Sequence, residues 1–149
     1  MNLFEQVSND IKEAMKARDK VRLEALRNVK KLFLEAKTAP GANDELSDEA
    51  ALKIIQKLVK QGKDSAQIYT EQGRSDLAEE EMAQVKAIES YLPQQMTPEE
   101  LKAALREIIA EVGATSPKDM GKVMGAASKK LAGKAEGKAI STCVKELLG

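Results

Sequence analysis

The stretch Thr97-Pro98-Glu99-Glu100-Leu101-Lys102-Ala103-Ala104-Leu105-Arg106-Glu107-Ile108-Ile109-Ala110-Glu111-Val112-Gly113 decides the fold class. Threonine as N-cap, proline at the first helical position and glutamate three residues after the cap make a helix start. Leu101, Leu105, Ile108, Ile109 and Val112 then recur at helical spacing, and Gly113 stands where a helix stops. Outward in both directions the same 3.6-residue period continues, while the two-residue period of strands is absent.

Toward the N-terminus, Leu3, Val7, Ile11, Ala14 and Met15 mark a first helix. A second begins near Asp19, with Leu23, Leu26, Val29, Lys30 and Phe33 on its inner side. Pro40, Gly41 and Asn43 interrupt the pattern, so residues 38–45 read as a mobile surface loop. Ser47 caps a third helix whose inner face carries Ile55, Leu58, Val59, Gly62, Ala66 and Tyr69. Ser75 is expected to cap a fourth, through Leu77, Met82, Val85, Ile88 and Leu92. Toward the C-terminus, Ser116-Pro117 opens a sixth helix, and a seventh follows Gly133 and Gly137 with Ile140, Cys143, Val144, Leu147 and Leu148. The expected fold is all-α. An N-terminal antiparallel helical domain of about four helices (1–95) precedes a small C-terminal three-helix domain (96–149), with Pro93 marking the end of the first.

Composition agrees. Strand-favouring aromatics are only Phe4, Phe33, Tyr69 and Tyr91, and 149 residues can bury a core without staples. Charged residues make up 32% of the chain but cancel, so a nucleic-acid role has to rest on a local patch. From residue 113 onward seven lysines face three acids, which places the basic excess at the C-terminal end. With one cysteine and no histidine, an internal disulfide is impossible and a metal site is not expected. The N-terminus lacks the basic flank and apolar run of a signal peptide, and no segment is apolar over a membrane's width. These features predict a cytoplasmic protein without a membrane partner.

The sixth helix carries the most information. At 100° per residue Met120, Val123, Met124, Ala127 and Leu131 gather on one side, while Lys118, Lys122 and Lys129 fall within about 40° of one another opposite them. Gly121 and Gly125 lie on the lysine side. Each internal glycine costs a helix about 1 kcal/mol relative to alanine, so the pair calls for a reason. Glycines four apart let another helix approach closely; a side-chain-free face rimmed by lysines also lets a phosphate backbone approach. Lys130, Gly133, Lys134, Gly137 and Lys138 continue the alternation into a helix junction, where the first amides of the last helix favour an anion. The candidate nucleic-acid contacts are therefore Lys118, Gly121, Lys122, Gly125, Lys129, Lys130, Gly133, Lys134 and Lys138. A second lysine row, Lys53, Lys57, Lys60 and Lys63, reads as a solvated helix face. The scattered aromatics offer no stacking platform, which favours recognition by shape and phosphate position.

Catalysis finds little support. Without histidine the commonest general base and Ser-His chemistry are missing. Cys143, at helical spacing from Ile140 and Leu147, reads as core. The pairs Asp48/Glu49 and Glu99/Glu100 occupy first helical turns, where the helix dipole accounts for them. No catalytic residue and no cofactor are expected.

Four segments carry a family resemblance: Gln61-Gly62-Lys63-Asp64-Ser65-Ala66, Gly73-Arg74-Ser75-Asp76-Leu77-Ala78, Tyr91-Leu92-Pro93-Gln94-Gln95 and Asp119-Met120-Gly121-Lys122-Val123-Met124-Gly125. In these the chain resembles the GatB/YqeY family over essentially its whole length, in the form of the stand-alone YqeY-type proteins. Gly121 through Leu148 also resembles the tail domain of the B subunit of glutamine-dependent aminoacyl-tRNA amidotransferase. The resemblance implies a helical domain that helps grip tRNA, and it links the chain to carbon–nitrogen ligases with glutamine as amido-N-donor, though catalysis there resides elsewhere. Where amidotransferase tails read Gly-Lys-Ala-Asn-Pro, this chain has Gly133-Lys134-Ala135-Glu136-Gly137. The reading that results is a non-catalytic accessory protein binding tRNA or another structured RNA. The alternatives are a protein-interaction module that packs a partner helix on the glycine face, and an accessory part of an amidotransferase.

Overall fold

The computed structural model of the chain describes residues 2–149 and is all-helical, with no strand among the described residues. Seven helices follow one another: α1 (Leu3–Ala17), α2 (Lys20–Lys37), α3 (Asp48–Glu71), α4 (Ser75–Glu89), α5 (Pro98–Val112), α6 (Met120–Lys130) and α7 (Gly137–Leu148). They form two compact units, Met1–Leu92 and Pro93–Gly149, each with its own apolar core.

Local chemistry sets most of the helix ends. Asn2 accepts from the Glu5 amide at 2.9 Å and opens α1 with a capping box. Asp19 accepts from Arg22 N, and Ser47 accepts from Ala50 N at 3.1 Å, as cap residues do when they satisfy an orphan amide of the first turn. The capping box at Thr97 and Glu100 is complete, and α5 ends at Gly113 with φ +70, a left-handed conformation that glycine adopts without strain. Two starts differ from the sequence reading. Ser75 does not cap α4: it is the first helical residue, and the cap position falls to Arg74, which makes no side-chain capping bond. Arg74 instead pairs with Asp76 at 3.2 Å and, first among several causes, holds that carboxyl below its usual range. Ser116-Pro117 opens not α6 directly but a 3-10 turn, Pro117–Asp119, which leads into it.

In the first unit, α3 and α4 form a helical hairpin joined by residues 72–74. α4 packs against both α3 and α2, and α1 packs along α2. The fully buried centre is Val7, Leu26, Val29, Phe33 and Ile55. Gly62 permits the hairpin, since a Cβ there would stand 2.4 Å from Val85 Cγ2, and Val85 is itself buried. Lys30, expected on the inner side of α2, is half-buried at the edge of the core. Its ammonium lies 5.9 Å from the Phe4 ring centroid, and that of Lys37 lies 4.1 Å from it, so the ring face meets the charges that the core cannot. The unit is tied end to end by Tyr91, whose hydroxyl donates to Asp10 Oδ2, and Asp10 also pairs with Arg22 at 3.9 Å.

In the second unit α5, α6 and α7 pack pairwise around Leu105, Val123 and Val144, with Leu101, Ile108, Ile140 and Cys143 filling the rest. The segment leading into α5 is fastened to the α6–α7 connection. Met96 N donates to Lys134 O at 2.9 Å, and Gln95 Nε2 donates to Gly133 O at 2.6 Å.

Gly62→Ala is expected to destabilise the chain. Alanine gains about 1 kcal/mol in helix propensity, but overpacking a stiff valine costs about 1–3 kcal/mol. In urea unfolding, Gly62→Ala and Val85→Ala should combine less than additively, and strict additivity would exclude the collision. Tyr91→Phe is expected to cost about 1–2 kcal/mol, the lower part of the range for a bond to a charged acceptor, because the pair is only part-buried. Burial, then the hydrogen bond to Asp10 and its charge, raise the phenol's pKa in the folded chain. The unfolded chain therefore releases this proton first, near pH ~10, so the contribution is complete below that pH and is lost as pH rises further. Tyr91→Phe should flatten that alkaline decline in thermal unfolding scans.

Candidate nucleic-acid interface

The apolar and polar sides of α6 separate as the wheel predicts. Val123 and Ala127 are buried, Leu131 is buried just after the helix, and Met120 and Met124 pack against the same core. Turned outward are Gly121, Lys122, Gly125 and Lys129, all exposed. A Cβ built on Gly121 or Gly125 would meet nothing within 4 Å, so no packing inside the unit accounts for either glycine. Lys122 and Lys129 are seven residues apart on this face, two turns or about 10 Å along the axis. Lys118, on the preceding 3-10 turn, is exposed as well.

Asp119 anchors the start of this face. Its Oδ2 accepts from Thr115 N at 3.0 Å, and that bond, aided by the Ser116 amide and the charge of Lys122, holds the carboxyl below its usual range. The carboxylate thus fixes the turn that aims Lys118 and Lys122, at the cost of one negative charge near them.

The nine sequence candidates divide four ways. Gly121, Lys122, Gly125 and Lys129 share the outer face of α6, and Lys118 precedes them on the 3-10 turn. Lys130 points elsewhere and pairs with Glu111 of α5, so its charge is already answered. Lys134 and Lys138 stand on the rim of a groove of about 540 Å³ between the start of α5 and α7. Gly133 is a correction: it is buried, its carbonyl is taken by Gln95, and its φ of +74 shows a glycine kept for the turn after α6 rather than for contact with a ligand. Among the described residues Lys118, Lys122, Lys129, Lys134 and Lys138 make no salt bridge.

The sequence reading missed the groove. Met96, Leu101 and Lys102 from one side and Ala139, Thr142, Cys143 and Glu146 from the other line it, and residues so far apart in the chain leave no spacing signature. Glu136, at the cap of α7, lines it too and makes no side-chain capping bond to that helix. Cys143 belongs to the core as expected. Burial, and after it the charge of Glu146, pushes its thiol pKa up, which is opposite to what a nucleophile needs.

The chain is similar to three curated yeast proteins, each named "Altered inheritance of mitochondria protein 41, mitochondrial". It is 27% identical to that of Lachancea thermotolerans over 74% of this chain and 60% of the relative. For Kluyveromyces lactis the identity is 28%, with the same coverage of each chain. For Vanderwaltozyma polyspora it is 34%, over 58% of this chain and 46% of the relative. The matches thus span no more than about 60% of these relatives' own length. All three names say mitochondrial, which overturns the cytoplasmic expectation. That expectation rested on the lack of a signal peptide and of an apolar span, and neither feature separates one aqueous compartment from another. The profile of the Yqey-like protein family (YqeY) matches residues 4–148. With the match running from the second residue of α1 to the last residue of α7, the chain belongs to the YqeY-like protein family.

Proposed function

We propose that this chain is a non-catalytic accessory protein whose C-terminal unit docks on structured RNA such as tRNA, through the outer face of α6. One observation carries the reading: two glycines of α6, one in its first turn and one in its interior, face open space between exposed lysines. Gly125 costs the helix about 1 kcal/mol and Gly121, in the first turn, less, and no contact within the unit offsets either. A ligand that lies flat against the helix would. With no Cβ at Gly121 and Gly125, a sugar–phosphate backbone approaches α6 closely while Lys118, Lys122 and Lys129 meet phosphates. Lys134 and Lys138, beside the uncapped start of α7, supply further cationic contacts. The second unit contains no aromatic residue, so its recognition is by shape and phosphate spacing rather than by base stacking. The resemblance of Gly121–Leu148 to an amidotransferase tail supports the same choice of partner.

Fluorescence-anisotropy titration of the full chain with bulk tRNA at several salt concentrations tests this. Affinity should fall steeply with salt, and Lys122→Gln with Lys129→Gln should lower the log–log salt slope by about two. Gly121→Ala with Gly125→Ala should raise the melting temperature, by up to about 1 kcal/mol of stability per site, while weakening the binding. No association at low salt, or affinity indifferent to these four residues, would exclude the reading. Salt-tolerant association with another protein, lost on Gly125→Leu alone, would assign the face to a partner helix instead.

A further inference from the structure

The first unit holds a second concave surface, of different chemistry. Between α2 and α3, floored by α4, lies a polar groove of about 250 Å³. Asn28 stands on the α2 wall, Gln61 and Ser65 on the α3 wall, and Glu81 and Gln84 rise from α4. The groove is concave because Gly62 lets α3 come down onto Val85, which brings both walls close to the floor. Gln61, Gly62 and Ser65 belong to one of the segments that carry the family resemblance, and nothing in the RNA reading uses them.

None of these five polar side chains makes a hydrogen bond or an ion pair with the described residues. Ser65, Glu81 and Gln84 are nonetheless half-buried. Solvent still reaches these groups, and three carboxamides, a hydroxyl and a carboxylate converge with no hydrogen bond between them, free to turn to a ligand. Glu81 is the only charged residue of the lining. On the same helix, by contrast, Glu89 is paired with Lys63 at 3.5 Å and Asp76 with Arg74. A half-buried carboxylate without a cation, set among groups that both donate and accept, selects a positively charged ligand with hydrogen-bonding groups of its own. The volume lies below that of pockets for drug-sized molecules, which limits the ligand to about the size of one amino acid.

We propose that this groove binds a small organic cation of amino-acid size. Its amine or guanidinium lies against Glu81, and its remaining donors and acceptors meet Gln61, Ser65, Gln84 and Asn28. Such a ligand takes the place of solvent on side chains that have no protein partner and neutralises the single charge of the lining.

Two-dimensional NMR of the ¹⁵N-labelled full chain, titrated with arginine amide, tests it. Saturable shifts confined to the amides around Gln61, Ser65, Glu81 and Gln84 are expected. Acetylglycine, an anion, should leave these amides unmoved, and neutral N-acetylglutamine amide should bind more weakly than arginine amide. Glu81→Gln should weaken the arginine-amide binding by about tenfold or more, equivalent to about 1.4 kcal/mol, and Gln61→Ala by a smaller factor. The spectrum of each variant reports directly that it is folded. Shifts that do not saturate, that spread over exposed acids such as Glu79 and Glu80, or that survive Glu81→Gln unchanged would overturn the assignment.

Discussion

At Gly62 the backbone of α3 passes so close to α4 that even a methyl group would collide with Val85. The absence of one side chain thus sets the spacing of the hairpin, and the rest of the first unit is built on that spacing. α4 can lie against α3 and α2 together, which buries Val85 and Ile88 and closes the core over Phe33, Leu26 and Ile55. Close-packed interiors accommodate an added methylene poorly, so the constraint is sharp. The same approach shapes the polar groove above α4, and Tyr91, just past α4, reaches back to Asp10 and fastens the end of the unit to its beginning.

Glycine has three distinct uses in this chain. Gly62 makes room for packing, Gly113 and Gly133 supply left-handed turns, and Gly121 and Gly125 do neither. The last pair stand on α6 over open space, and at Gly125, in the helix interior, alanine would be the more stable choice. A residue that lowers stability with no benefit inside the fold points to something outside it. That contrast, rather than the lysines alone, separates the α6 face from the lysine row of α3, where Lys53 pairs with Glu49 and Lys63 with Glu89 across an ordinary solvated surface.

What the sequence shows depends on how local the governing physics is. Thr97, Pro98, Glu100 and Gly113 act within one helical turn, so the bounds of α5 are readable from four residues. Ser75 misleads because a serine before an apolar run satisfies the rule whether or not its hydroxyl turns to the amides. Here the Arg74–Asp76 pair occupies that corner. Gly133 misleads in the same way. Its place in a glycine–lysine alternation suggests exposure, but Gln95, 38 residues away, covers its carbonyl. Neither groove leaves a trace in spacing, since each draws its lining from helices far apart in the chain.

By itself the sequence determined the all-α class, the positions of most helix ends and which side of α6 faces the core. Capping, periodicity and propensity act over a few residues and are written in neighbouring letters. Only the tertiary structure decided which glycine is covered and which is open, which lysine is already paired, and where polar side chains are left without partners. Those properties depend on atoms brought within a few ångströms by packing between helices, and separation along the chain carries no record of that distance.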